Sequence, residues 1–357
     1  MVSMEEGARA AGLLFARRGE LAADVLKRVL AGYPSAGANL GEAAWAACAR
    51  DIGFHLDYLT QALHFAEEGI FVSYAEWLAR LFAGLDLPSD CASLSLSALR
   101  ASLVSLLPGA DSAPALSFVD AAAGALSGAG WARKLGEAAP LGAEAAAYLE
   151  ALLAGDRSRA GAQIARLVEG GASIKSLYLD IFQATQLEIG RLWLAGELSV
   201  GQEHFCTAAT QMVMSGLYPR VFAASRKGRT MVASGVGGEL HELGIRMVAD
   251  FFELEGWDSH YLGTNLPPGD ILSFAEARRA ELLCLSVTMA GNLPLLEETI
   301  DLARSGRIGR VPKILVGGGV LNALPLLWRR LGADGYAPDA QGALDEASAL
   351  FPPRARP

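Results

Sequence analysis

A chain of 357 residues has room for two or three domains, each with its own core. Its formal charge of −9 argues against a nucleic-acid surface, so no nucleic-acid partner is expected. The four cysteines, Cys48, Cys91, Cys206 and Cys284, lack C-x-x-C spacing and imply neither a zinc site nor a disulfide framework, which suits a reducing cytoplasm. Hydrophobic residues make up 52%, but charges interrupt every long apolar run, so neither a membrane span nor a signal peptide is expected.

In chain order, the pattern predicts helices near residues 4 to 31, 41 to 68, 71 to 84 and 95 to 106, broken at Pro34-Ser35-Ala36-Gly37 and Leu87-Pro88-Ser89-Asp90. Residues 1–107 thus form an N-terminal helical domain. Small residues from Pro108 onward read as a linker, 108–138. Helical segments around 140 to 154, 157 to 170, 173 to 195 and 199 to 223, with short glycine-marked breaks, form a four-helix bundle over 139–226. From Lys227, strand and helix patterns alternate to Leu350, which predicts a doubly wound, Rossmann-like parallel sheet of about five strands over 227–350. The fold class is therefore α plus α/β. Residues 352 to 357 read as a frayed tail.

The chemistry concentrates after the first strand candidate, Thr230 to Val236. Gly235, Gly237 and Gly238 strip the turn of side chains, so a large group can lie against the backbone. Glu239-Leu240-His241-Glu242-Leu243-Gly244 follows. A neutral imidazole at His241 is a candidate metal ligand, and Glu239, two residues earlier, a carboxylate that can fix its tautomer. A second apolar strand, Leu282 to Met289, exposes the hydroxyls of Ser286 and Thr288, and a third, from Lys313, ends in Gly317-Gly318-Gly319. In an open parallel sheet all three ends fall in one crevice. Taken singly, a histidine at a helix start is a capping residue and a Gly-Gly pair a tight turn; the order of the three along successive strand-helix units favours a site. A dinucleotide fingerprint fails, because Leu240 stands at its third glycine and no isolated acid closes the second strand, Ser259 to Gly263.

These residues resemble the cobalamin-binding domain, with its Asp-x-His-x-x-Gly loop, Ser-x-Leu or Ser-x-Thr strand and Gly-Gly strand end. The likeness maps onto Glu239, His241 and Gly244, onto Ser286 and Thr288, and onto Gly317 and Gly318. It implies that His241 takes the lower cobalt position from the cofactor's benzimidazole, whose tail enters a channel past Ser286 and the glycines. Glu239 replaces the usual Asp, which alters its reach by one methylene.

In the bundle, Trp193 is followed across a turn by Glu203 and His204. Alone, they read as an ordinary core aromatic and a partly buried histidine. Beside the cobalamin loop they resemble the Trp and Glu-His lid of B12-dependent photoreceptors, with Leu194 standing where light-sensing repressors carry a second histidine. The closest likeness is to the photocobilins, which bind cobalamin and biliverdin together. It implies that Asp51, His55 and Tyr58, three to four residues apart on one helix face, contact the bilin, an assignment that competes evenly with a solvated helix face. The expectation is thus a non-enzymatic light sensor with cobalamin, adenosylcobalamin favoured, and biliverdin, signalling to a protein partner or by self-association, in the cytoplasm and away from membranes. The alternative is a corrinoid methyl-carrier protein of a methyltransferase system, whose upper cofactor face must open to partners.

Overall fold

The computed structural model describes residues 2–32, 42–85, 87–107, 109–127, 140–306 and 309–352. The chain divides into two compact units, Met1–Glu137 with Leu194–Gly196, and Ala138–Trp193 with Glu197–Pro357.

The first unit is helical: α1 (Met4–Ala16), α2 (Arg18–Gly32), α3 (Glu42–His64), α4 (Glu68–Gly84), α5 (Cys91–Leu106) and α6 (Ala113–Ser127). A capping box starts α1, where Ser3 Oγ accepts from the Glu6 backbone N–H and Glu6 accepts from the Ser3 backbone N–H. The expected linker from residue 108 is corrected here. Its alanines build α6, which buries Ala115, Phe118, Val119 and Ala122 in the core of this unit. Small residues there signal a strong helix former packed closely rather than a loose connection. Residues 128–138 of that linker, the expected break at residues 34 to 37 and the tail from 353 lie outside the described residues.

The second unit opens with α7 (Ala143–Leu153) and α8 (Arg157–Glu169). The third bundle helix, α9, starts at Ile174–Ser176, passes through a π-helical stretch at Leu177–Gln183 and finishes at Ala184–Leu194. Next come α10 (Val200–Ser215), begun by a Ser199/Gln202 capping box, and the short α11 (Tyr218–Val221). The strands are β1 (Thr230–Gly235), β2 (Asp258–Tyr261), β3 (Leu282–Ser286), β4 (Lys313–Gly317) and β5 (Gly335–Tyr336), connected through α12 (Leu243–Leu254), α13 (Pro268–Ala277), α14 (Leu293–Arg304), α15 (Gly319–Ala323) and α16 (Leu327–Arg330), with α17 (Ala340–Leu350) last.

All five strands are parallel, in the order β2-β1-β3-β4-β5. Helices cover both faces, so β1 and β3 read as continuous apolar runs. Between β1 and β3 the strand order reverses, which opens a crevice at their C-terminal ends. There the register sets Gly235 beside Ser286, and Ser286 beside Gly317.

Bundle and sheet share one core in which Tyr148, Phe182 and Met214 join Phe251, Met231 and Leu282. Polar ties reinforce it along α12: Tyr178 donates to buried Asp250 at 2.8 Å, Arg246 to Tyr218 and Ser215, and Lys175 to Glu255. Among the described residues, no helix is long and apolar enough to cross a membrane.

Candidate functional site

The loop after β1 occupies the switch point. A Cβ on Gly235 would lie 2.6 Å from the Thr264 methyl, and one on Gly238, whose φ is +76°, would lie 2.6 Å from Asn292 Oδ1. Only bare backbone passes this gap.

Glu239 follows, fully buried. Its Oε1 accepts from the backbone N–H of Leu240 and His241 at 3.0 and 3.1 Å and lies 2.5 Å from His241 Nδ1. Its Oε2 accepts from the backbone N–H of Thr288 and Met289 at 2.6 and 3.3 Å and from Asn292 Nδ2 at 3.4 Å. Burial pushes this carboxyl upward, but the bonds from His241 and Thr288 and the imidazolium charge outweigh it and bring it down to about 2. The glutamate thus reaches the ring as the shorter aspartate of the resembling loop would.

With Nδ1 held, His241 has its Nε2 without a hydrogen-bond partner among the described residues, on a side chain 58% exposed. The Glu239 bond raises the imidazole's pKa against the opposing effect of burial, and the charges of Glu239 and of Glu203 on α10 add to the rise. The result is an oriented, electron-rich nitrogen facing away from its carboxylate. No group of three His, Cys, Asp or Glu side chains capable of holding a metal ion exists among the described residues. This single-imidazole donor set suits a metal that carries its own equatorial ligands.

Beside the loop runs a narrow cleft of about 70 Å³, walled by Gly244 and Val248 of α12, Ser286 of β3, Gly317 and Gly318 after β4, and Asp339 before α17. Gly317 and Gly318 are needed by the fold itself: a Cβ on the first would meet Ala337 O at 2.7 Å, and on the second, at φ +103°, the Val287 backbone at 2.3 Å. Gly244 differs, because a Cβ there meets nothing within 4 Å and would instead project into open cleft. This bare wall fits a slender group inserted between α12 and the strand ends.

The structure brings Glu239, His241, Gly244, Ser286, Gly317 and Gly318 to the same end of the sheet. Thr288 joins through its backbone N–H rather than its hydroxyl. Pattern reading missed three residues. Asn292 braces Glu239, Asn265 Oδ1 accepts from the Gly238 N–H at 2.8 Å, and Glu242 links Gln211 of α10 to Tyr261 of β2. The turn signature Gly263-Thr264-Asn265 was the one available signal.

On the bundle, Glu203 Oε2 lies 2.6 Å from His204 Nδ1, while the single Thr207 hydroxyl lies within hydrogen-bond distance of both Glu203 Oε1, at 3.0 Å, and Gln186 Oε1, at 3.1 Å. The His204 side chain is 73% exposed, and Trp193 is half-buried at the end of the preceding helix. In the first unit, the Asp51/His55/Tyr58 stripe is corrected. His55 is 1% exposed, its Nδ1 lies 2.6 Å from the Tyr74 hydroxyl, and burial pushes the imidazole down to about 4. Tyr58 stacks on Tyr74 with ring centroids 4.1 Å apart, and burial raises half-buried Asp51. The stripe turns into the α3/α4 packing, neither a solvated face nor an open row for a ligand, because its aromatic members gain more by burial than by exposure.

A family model described as the B12 binding domain matches residues 229–345, and a second of the same description matches residues 144–218. Dimethylamine corrinoid protein 1 of Methanosarcina acetivorans is 27% identical over 170 residues, 46% of this chain and 77% of that protein. Dimethylamine corrinoid protein 3 of Methanosarcina mazei is 27% identical over 170 residues, 46% of this chain and 98% of that protein. Among solved structures, the monomethylamine corrinoid protein of Methanosarcina barkeri superposes with a TM-score of 0.52 at 17% identity, covering 57% of this chain and 96% of that one, and so shares the fold. These relatives overturn the light-sensor expectation: over 46% of its length the chain aligns with corrinoid proteins named for dimethylamine. Biliverdin and an adenosyl upper group, which only the photoreceptor likeness implied, lose their support with it.

Proposed function

We propose, from the match of residues 144–218 and 229–345 to models of the B12 binding domain, that this chain is a corrinoid methyl-carrier protein, which holds cobalamin between its bundle (139–226) and its sheet (227–350) and serves a partner methyltransferase. In this reading the chain is the carrier, and catalysis belongs to the partner. When bound, the cobalamin supplies a cobalt that accepts a methyl group from one substrate and yields it to another.

The observation that carries the reading is the His241–Glu239 pair at the switch point, its free Nε2 beside a glycine-walled cleft. His241 would hold the cobalt from below. Glu239 would keep Nδ1 engaged so that the lone pair of Nε2 faces the metal. The displaced benzimidazole tail would enter past Gly244, Ser286, Gly317 and Gly318. Leu240, 76% exposed between the two polar residues, would lose water contact beneath a macrocycle. From the bundle side, the charge of Glu203 acts on His241, and the exposure of His204 is compatible with an upper face that partners can reach.

Cobalamin titration followed by paramagnetic resonance of the reduced, cobalt(II) form tests this. The wild type should bind with a nitrogen splitting from protein imidazole, which ¹⁵N-histidine labelling alters and His241→Ala abolishes. A chain that binds no cobalamin, or one that leaves benzimidazole on the metal, would overturn the reading. Transfer is tested by supplying a methylamine and its corrinoid methyltransferase and following methylation of the bound cofactor spectroscopically.

A further inference from the structure

The loop that presents His241 is pinned from two directions. On the β3 side, Asn292 and the Thr288 N–H hold the Glu239 carboxylate. On the β2 side the tether is Asn265, in the connection between β2 and α13, whose Oδ1 accepts from the Gly238 backbone N–H at 2.8 Å. Asn265 has φ +62°, one of three non-glycine residues with positive φ among the described residues. A glycine takes that conformation without steric cost, so what asparagine adds at this turn is its side chain. That side chain crosses to Gly238, the residue directly before Glu239. The loop around Gly238 leaves no slack: a Cβ on Gly237 would lie 3.0 Å from Leu295 and 3.4 Å from Leu266 O, and one on Gly238 2.6 Å from Asn292 Oδ1. A shift of the loop away from β2 therefore drives it into Asn292 and disturbs the carboxylate that orients the imidazole.

We propose that Asn265 is a positioning residue for His241: its side-chain carbonyl fixes Gly238 against the β2 edge, which sets Glu239 and, through it, the direction of the His241 nitrogen. The proposal rests on the cobalamin reading above. Asn265 and Gly238 are both exposed, so water can replace the lost bond in the ligand-free chain. Its loss should therefore appear in ligand geometry more than in stability.

Asn265→Gly keeps the left-handed backbone and deletes the acceptor, whereas Asn265→Asp keeps both. In the full-length chain, Asn265→Gly should weaken binding of added cobalamin by roughly three- to tenfold, the range for one hydrogen bond. It should also broaden or diminish the protein-nitrogen splitting of the cobalt(II) form, with thermal unfolding unchanged, and Asn265→Asp should restore both readouts. Wild-type affinity and splitting in Asn265→Gly would overturn the proposal, as would equal losses in the glycine and aspartate variants. A wild type without any protein-nitrogen splitting would instead refute the His241 assignment itself.

Discussion

Replacing the Glu239 carboxylate by an amide tests the site's physical basis. The two oxygens of Glu239 meet only donors: four backbone N–H groups, Asn292 Nδ2 and His241 Nδ1. In Glu239→Gln, either orientation turns an NH₂ toward N–H groups that have no other acceptor among the described residues, so a donor goes unsatisfied and the imidazole loses its charged partner. The fall of the carboxyl from 4.5 to about 2 corresponds to roughly 3 kcal/mol at about 1.4 kcal/mol per pH unit, and the residue is fully buried, so little of this is screened. At about 2–4 °C per kcal/mol for a unit of this size, the unfolding midpoint should drop by roughly 6–12 °C near neutral pH, and cobalamin affinity by about 10- to 100-fold, as for other partners of metal-bound histidines. The sign fixes a pH signature. A depressed carboxyl stabilises the folded state fully above its unfolded value of 4.5 and ceases to do so as pH falls toward 2. The raised imidazole contributes below 6.5 and stops as pH rises through its elevated value; both describe one contact and count once. Calorimetry of wild type and Glu239→Gln at pH 7 and pH 3 should show the gap closing at the lower value. A variant that unfolds within 2 °C of wild type at pH 7 and binds cobalamin equally well would refute the reasoning.

Two glycine substitutions should separate folding from binding. Gly318→Ala, forced to φ +103° against the Val287 backbone, should lower stability by about 2 kcal/mol or more in thermal unfolding. Gly244→Ala should leave unfolding unchanged and weaken cobalamin, because its methyl occupies only the cleft; equal affinity for Gly244→Ala and wild type would remove the cleft from the binding site. Asp250 carries the opposite pH signature to Glu239. Burial raises it to about 6 against the bonds from Tyr178 and Tyr218 and the pull of Arg246, so its folded form holds a proton that the unfolded chain has released, and stability declines as pH rises from 4 to 6. Asp250→Asn, which can still accept from Tyr178, should flatten that decline in denaturant midpoints measured across the same window.

The sheet was legible because burial on both faces writes β1 and β3 as unbroken apolar runs, and the loop because three glycines must precede Glu239 where side chains do not fit. His241 could be singled out because the residue type and its place at a strand end coincide. The failures share one cause, that local pattern does not encode what lies opposite. Ala113 to Ser127 looks like a linker until α6 is seen packed against other helices of the first unit. His55 has polar spacing on α3, yet its ring meets Tyr74 from the next helix. Thr288 was read for its hydroxyl, but a hydroxyl at a strand end has alternatives in water, whereas the buried Glu239 carboxylate needs every N–H that the strand can offer.

The photoreceptor expectation failed for a related reason. Trp193, Glu203 and His204 read as a surface above a cofactor, and side chains of that chemistry serve a closed lid and an opened face alike. In sequence the three look like a unit. In the structure Glu203 bonds both His204 and Thr207 of its own helix, and the His204 side chain extends into solvent. A side chain so exposed is free to meet a docking surface, and a carrier must present its upper face to a second protein. What the lower loop requires is narrower: a buried carboxylate, an imidazole tied at one nitrogen and a bare-walled cleft. Those demands bear on Glu239, His241 and Gly244 and not on the bundle surface, so correcting the light-sensor expectation leaves the cobalamin reading in place.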